Sequence, residues 1–504
     1  MLSALIFIPL LLAVAVGLVP ERVTARGLRV AMLVASSVLF ALALAVAWQF
    51  DAASGAMQLV ERRPWLELLG VSYSLGVDGL SLPLLVLNGF LTLVAIGCTS
   101  PTLERPRLYY CMLWLLNAGV VGAFVAQDLI LFFLFYELEL IPLYFLIAIW
   151  GGARRSYAAT KFLLYTAISG VAILSAFLGV VWLSGAPDFS YSVGLGSSLA
   201  IEPQIVLLAT LLFGLAIKIP IVPLHTWLPD AHVEASTPVS VLLAGVLLKL
   251  GTYGLLRFGI GLFPEAWLEI APVLATLAAI SALYGAFAAI AQQDMKKMVA
   301  YSSIAHMGYI LLAAAAGTEL GILAAIAQMV AHGLISALLF LLVGIVAKKT
   351  GTRDLNVLRG LLNPQRGLPI VGSLIVLGVM ASSGLPGLMG FVAEFMVFRG
   401  SFSVYPLQTL ACIVGTGLTA VYFLLMINRV FFGRLPDRFG NLPPVQWHET
   451  ISSMAIASLL VVYGLMPSLF LDWSQAQIST LVPRVIAPQE VIVPVAISPN
   501  QSDL

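Results

Sequence analysis

Long apolar runs broken by short polar connections set the pattern of this chain from its first residues. Read in windows of about 20 residues, the apolar segments fall at roughly 2–19, 28–50, 82–99, 109–126, 128–149, 160–183, 204–224, 238–258, 271–291, 299–316, 321–347, 369–397, 405–431 and 450–471. A helix of that length crosses the bilayer hydrocarbon, and it pairs its own backbone groups where no water can. The pattern therefore predicts an all-α polytopic membrane protein of about 14 transmembrane helices. The longest connection, Asp51 to Gly79, is too short for a soluble domain. The tail after Trp473 is Pro-rich and polar and reads as a surface arm or a disordered segment. The opening run MLSALIFIPLLLAVAVGLVP lacks a basic flank and an A-x-A site, so it reads as a first span and not a cleaved signal.

The spacing of the runs contains a repeat. A shift of about 165 residues carries spans four to eight onto spans nine to thirteen, and it brings "IKIPIVP" close to "SGLPGLMGF", two spans interrupted by Pro or Gly. Five spans per unit is an odd number, so the second unit must lie inverted in the membrane. This predicts two inverted five-helix repeats, spans 4–8 and 9–13, each with a broken helix, the architecture of transporters whose ion sites lie at the breaks. The expected units are 1–108, three N-terminal spans; 109–258, the first repeat; 271–431, the second; and 432–504, a last span with the tail.

Composition agrees with the pattern. The chain is 61% hydrophobic and 10% charged, with a mean hydropathy of +1.03, far more apolar surface than a soluble fold can bury. A net charge of +1 excludes a nucleic-acid partner or an acidic ligand held by bulk charge. The three cysteines, Cys98, Cys111 and Cys412, have no CxxC spacing, so no metal, iron–sulfur or disulfide framework is expected. Basic residues are distributed unevenly. Eighteen of them, from Arg22 to Arg438, fall in the connections after odd-numbered spans, and five (Arg62, Arg63, Arg257, Arg399 and Arg484) fall on the opposite side. The richer side is expected to face the cytoplasm, with both termini on the other. Lys218 and Lys249 lie within spans.

An ionisable group at mid-membrane costs several kcal/mol, so it marks an ion pathway or a charge pair. The candidates are Glu137, Glu139, Lys218, Lys249, His306, His332 and Glu394. A lysine and a carboxylate that meet and separate can take up and release a proton as one coupled unit. The plainer readings are a static Glu137–Lys218 pair, a Lys249 that snorkels to the surface, and histidines that are ordinary core residues. In "LHTWLPDAHVEAST", His225, Asp230, His232 and Glu234 have the chemistry of metal ligands, but a Pro-interrupted re-entry beside the membrane surface reads better as the shape of an ion inlet. "GLGSSL" lacks the third glycine and the strand of a dinucleotide site.

In "YELELIP", residues two apart point about 200° from each other on a helix, so Glu137 and Glu139 cannot share one internal path. Pro142 leaves the carbonyl of Leu138 without its usual donor and loosens the helix there. Glu137 is expected to meet Lys218. Glu139 is expected on the opposite face, against a neighbouring subunit, on a path of its own, or protonated in the helix packing.

The stretches "AQDLILFFLFYELELIPLYFLIAIWGG", "IKIPIVPLHTWLPDAHVEASTPVSVLLAGVLLKLGTYGLLRF", "DMKKMVAYSSIAHMGY" and "ASSGLPGLMGFVAEF" resemble, in this order, chain 4 of respiratory complex I and its photosynthetic relatives. The resemblance runs from about Gly76 to Phe432 and extends to the wider family of antiporter-like proton-pumping subunits. "FYELELIPLYFLIAIWGG" and "ATKFLLYTAISG" are most similar to the cyanobacterial and plastid form. The resemblance implies a membrane-arm subunit with no redox cofactor of its own, driven by electron transfer elsewhere in a large hetero-oligomeric complex. Quinone and ferredoxin or NAD(P)H would be bound by other subunits. It implies a proton path of Glu137, Lys218, Lys249, His306, His332 and Glu394. Glu139 departs from the pattern, since many relatives carry an apolar residue there. In the photosynthetic form the complex reduces plastoquinone in thylakoids, some of its versions drive CO2 uptake, and the short N-terminus here resembles those versions.

The expected function is proton translocation in an NDH-1-type quinone oxidoreductase, in the thylakoid or cytoplasmic membrane of a cyanobacterium-like organism. Protons would enter from the cytoplasm near Glu137–Lys218, pass Lys249, His306 and His332, and leave by Glu394. The alternatives are a subunit of a multisubunit sodium/proton antiporter and a structural membrane subunit whose charges only hold helices together.

Overall fold

A computed structural model describes residues 1–20 and 23–481. Arg22, Arg484 and the tail 482–504, all used in the sequence reading, lie outside the described residues. Each of the fourteen predicted apolar segments falls on helix. Among the described residues, twelve helices are long and apolar enough to cross a membrane, and Leu2–Leu18 and Pro369–Ser382 are shorter apolar helices. The part of the tail that is described is not an irregular arm: the helix Ser468–Leu481 runs past Trp473, and Ser474 donates to the Gly79 carbonyl at 2.7 Å.

The all-α expectation needs one correction. The connection Asp51 to Gly79 holds an antiparallel hairpin, Gln58–Leu66 paired with Val71–Val77, closed at Gly70 with φ +67°. Short stretches of β-rich residues too brief to cross a bilayer are invisible to a hydropathy window. Asp128 fastens the hairpin to the membrane part. One carboxylate oxygen accepts from the Ser72 amide at 2.9 Å, and the other accepts from the Ile130 and Leu131 amides at 3.0 Å, capping the next helix.

Both expected breaks are present. The helix Ile201–Lys218 stops at Lys218, and the chain passes through Pro220 and Pro223 before the helix Trp227–Glu234. The helix Pro369–Ser382 is separated from Met389–Phe402 by a loop in which Gly384 and Gly387 have φ of +69° and +91°, a region that glycine takes at little cost. A third interruption lies at Glu139, between Leu129–Leu138 and Leu140–Trp150, where Pro142 offers no N–H to the Leu138 carbonyl.

The centre of the protein is a three-span core. All of the 18-residue apolar stretch of Thr237–Ile260 is buried, as is 94% of that in Met295–Ala316 and Glu319–Thr350, against 33% in Ala25–Gln49. Within the first of these, π-helical turns at Leu243–Leu247 and Leu255–Ile260 flank the α-helical Leu248–Gly254. These core helices carry Lys249, His306 and His332, while lipid-sized apolar side chains such as Leu164, Val171, Leu407 and Leu424 face outward.

Candidate functional site

The helix before the Glu139 interruption and the one after it are apolar on every face, so burial is decided by what packs against them. Phe132, Tyr136, Glu139, Leu143 and Leu146, spaced four, three, four and three apart, form the buried stripe. Glu139 is 0% exposed and forms an ion pair with Lys218, itself 3% exposed. The expectation that Glu137 meets Lys218 while Glu139 faces away is therefore corrected in its geometry. The two carboxylates do point to different faces, but the inward face is that of Glu139. Glu137 is half-buried between the outward-facing Leu134 and Ile141, with its carboxylate over Gly170, where a side chain would collide with it. The Lys218 ammonium also lies 4.8 Å from the centre of the Tyr136 ring, a cation–π contact. Tyr136 is fixed in turn by Ser169 at 3.1 Å, whose hydroxyl donates to the Gly214 carbonyl at 2.7 Å.

A second group runs through the core. The Lys249 ammonium donates to the Ala244 carbonyl, which lies in the first π-helical turn, and stands 2.8 Å from His332 Nδ1. Lys249 is 0% exposed, so it does not snorkel. A charged ammonium can only donate, so Nδ1 accepts, and the Nε2–H then donates to Ser336 Oγ at 3.0 Å. The His332 and His306 rings have centroids 5.7 Å apart. His306 Nδ1 faces the Ser302 carbonyl at 2.7 Å; its Nε2 faces the Ser382 carbonyl at 3.2 Å and Glu394 at 3.4 Å. All three are acceptors, which suits an imidazolium beside a carboxylate. Glu394 also accepts from Thr416 at 3.2 Å and lies against Gly384 of the broken span, where a Cβ would stand 2.9 Å from its oxygen.

The structure thus places Lys249, His332, His306 and Glu394 in one contiguous row and sets Lys218 in a separate pair. Among the described residues, no hydrogen bond joins the two lysine ammonium groups. The stem of Lys218 packs on Gly251, where a Cβ would lie 3.2 Å from its own, so the two clusters touch through backbone and methylenes.

The possible metal ligands of the Pro-interrupted stretch do not converge. Asp230 pairs with Lys161 at 2.8 Å, Glu234 accepts from the Arg154 amide at 2.8 Å, His225 meets the edge of the Tyr284 ring at 4.9 Å, and His232 stacks on Phe340 at 4.4 Å. Sequence reasoning missed other buried charges. Arg257, counted as a surface residue, is 1% exposed and pairs with Asp78 at 2.6 Å, and Lys296, counted likewise, is 4% exposed and donates to the Ala235 carbonyl at 2.5 Å. Both sit near the ends of apolar runs, where a window cannot tell a span end from a loop. The Glu139 pairing had a signal, the 4-3-4-3 spacing, but an apolar background on all faces concealed it.

Residues 126–419 match the model of a family described as NADH:quinone oxidoreductase/Mrp antiporter, transmembrane. Over 479 residues the chain is 43% identical to a NAD(P)H-quinone oxidoreductase chain 4 of Synechococcus sp. strain JA-3-3Ab, covering 92% of this chain and 89% of that one. It is 44% identical over 443 residues to such a chain 4 of Microcystis aeruginosa, covering 86% and 79%. In three dimensions it is similar to a chain of respiratory complex I from Thermus thermophilus, with TM-score 0.85, 27% identity, and 95% and 100% of the two chains covered. A chain of the Mrp complex from Dietzia sp. shares the fold, with TM-score 0.84, 22% identity, and 95% and 97% covered.

Proposed function

Because the chain belongs to the NADH:quinone oxidoreductase/Mrp antiporter family, we propose that its buried charges form a proton path driven by redox chemistry elsewhere in a larger assembly. It is an integral, multi-pass membrane protein and a proton-pumping subunit of an NDH-1-type quinone oxidoreductase, one of several membrane-arm subunits in a large complex. The observation that carries the path is the row Lys249–His332–His306–Glu394 in the wholly buried core. A row of donors and acceptors in low dielectric has no role in packing that apolar residues would not fill better.

In this reading Lys249 gives a proton to His332 Nδ1, and His332 stays neutral only while Lys249 is charged. His306, between two carbonyls and Glu394, relays toward the broken span, and Glu394 is the exit group. Glu139 holds Lys218 charged and in place. Glu137, half-buried beside that pair, exchanges protons with it from the outer face. Drawing Glu139 away would free the Lys218 proton, so the pair acts as the gate to the core row. The chain itself carries no redox group in this reading. The thylakoid is the proposed membrane, with the basic connections in the cytoplasm, both termini opposite, and two inverted units, 109–258 and 271–431, around the breaks. The multisubunit antiporter reading rests on a fold shared at lower identity and has no observation of its own.

The test is proton uptake by inverted vesicles that carry the whole complex, measured together with quinone reduction. Lys249→Met should lower protons moved per electron while the complex assembles. Normal pumping per electron in an assembled Lys249→Met complex would refute the path. A cysteine at Leu68, fully exposed on the hairpin, should be labelled from the non-cytoplasmic side and one at Gly351 should not; the reverse pattern would invert the orientation.

A further inference from the structure

On the face that carries the basic connections, a cavity of about 250 Å³ opens where Ala25–Gln49, Ser81–Cys98 and Trp447–Leu465 meet the start of Thr237–Ile260 and the end of Glu319–Thr350. Arg29 and the hydroxyls of Thr99, Ser236 and Ser452 line it. Arg29 anchors one nitrogen on the Gly97 carbonyl at 2.5 Å, while its Nε is buried without a partner. The hydroxyl of Tyr109, a side chain 0% exposed, lies beside those of Thr99 and Ser236, which it can contact. At the rim, Glu449 receives both Lys348 at 2.9 Å and Lys349 at 2.7 Å. Of the charged groups that line the cavity, Arg29 and Lys348 face one carboxylate, so it keeps an excess of positive charge.

A buried Arg29 Nε left unpaired costs about 1–3 kcal/mol, and the neighbouring hydroxyls can turn to donate to a ligand. A tetrahedral oxyanion matches them: it carries negative charge, accepts several hydrogen bonds at once and suits the planar fork of arginine. The surroundings say where that anion comes from. Val30 and Val34 on one bordering helix and Ile451 and Met454 on another are exposed apolar side chains, and Trp447, next to the lining residue His448, is 75% exposed. Tryptophan so placed is typical of the level of lipid headgroups.

We propose that this cavity binds the headgroup of an anionic membrane lipid, with Arg29, Tyr109 and Ser236 on the oxyanion and the acyl chains along Val30, Val34, Ile451 and Met454. The site is independent of the proton path. The bound lipid ties the first helices to the core spans Thr237–Ile260 and Glu319–Thr350 at their cytoplasmic-side ends.

The test uses the intact complex in nanodiscs containing a photoreactive phosphatidylglycerol, with labelled peptides mapped after irradiation. Labelling should fall on residues 97–103 and 447–452 and drop about ten-fold in Arg29→Gln, the loss of one charge-assisted contact. Tyr109→Phe, which keeps the packing, should give a smaller drop, so the proposal stays testable if Arg29→Gln fails to assemble. A photoreactive phosphatidylcholine should label these peptides weakly, and millimolar inorganic phosphate should not compete. Equal labelling by the neutral lipid, labelling unchanged in both variants, or displacement by phosphate, which would mean a pocket for a free anion, would each overturn the proposal.

Discussion

The two clusters of buried charge solve the same problem by opposite means. At Glu139–Lys218, a carboxylate and an ammonium neutralise each other under the Tyr136 ring. In the core, one lysine and one carboxylate are held apart by two imidazoles, each of which can be charged or neutral. Opposite charges in contact form a deep well from which a proton leaves only when the pair is pulled open. Imidazoles between them make a shallow series of sites instead, because a histidine changes charge at little cost. The first arrangement suits a gate and the second a conductor.

Breaking the conductor should have the largest effect. Lys249→Met or Glu394→Gln removes an end of the row, and pumping per electron should fall by at least about ten-fold, with the complex intact on native gels. The gate should break differently. Glu139→Gln strands the Lys218 ammonium in a site it cannot leave, a cost of about 3–5 kcal/mol, seen as lower thermal stability of the complex as well as lower pumping. Adding Lys218→Met should restore the stability but not the pumping. If Glu139→Gln is as stable as the unmodified complex, the pair does not hold the gate.

Glu137→Gln sharpens the comparison because Glu137 lies beside the pair on its outer face rather than within it. It should lower pumping by several-fold without loss of stability, and a double-mutant cycle with Lys218→Met should show a coupling smaller than that between Glu139 and Lys218. Coupling to Lys218 stronger for Glu137 than for Glu139 would reverse the assignment. The smallest effect is expected at Ser336→Ala, which removes the acceptor for His332 Nε2–H. A loss of about 1 kcal/mol in the preference for that tautomer should slow pumping a few-fold and leave assembly untouched; no change in rate would mean that the tautomer is not held there.

Arg257–Asp78 supplies the control for this comparison. It is as buried as either cluster, with Arg257 also bound to the Tyr253 hydroxyl at 3.2 Å. Its other ionisable neighbours among the described residues are the phenols Tyr253 and Tyr191, and arginine does not release a proton. Buried charge alone therefore does not identify a path. What separates the core row from this clamp is the succession of groups with two accessible charge states.

The apolar runs, the breaks at Lys218 and before Glu394, and the identity of the ionisable residues were legible in the sequence, because a helix in lipid must be long, apolar and internally paired whatever surrounds it. Local chemistry also fixed that Glu137 and Glu139 diverge and that Pro142 interrupts the helix between its two halves. Which of those faces turns inward was decided by the tertiary structure alone. A span that is apolar all round carries no mark of its buried side until neighbouring helices cover one face, and here they cover Glu139. The same holds for the row: Lys249, His306, His332 and Glu394 lie on four different helical segments, and only the packing of Thr237–Ile260 against Glu319–Thr350, and of Met295–Ala316 against Met389–Phe402, brings their side chains within reach of one another.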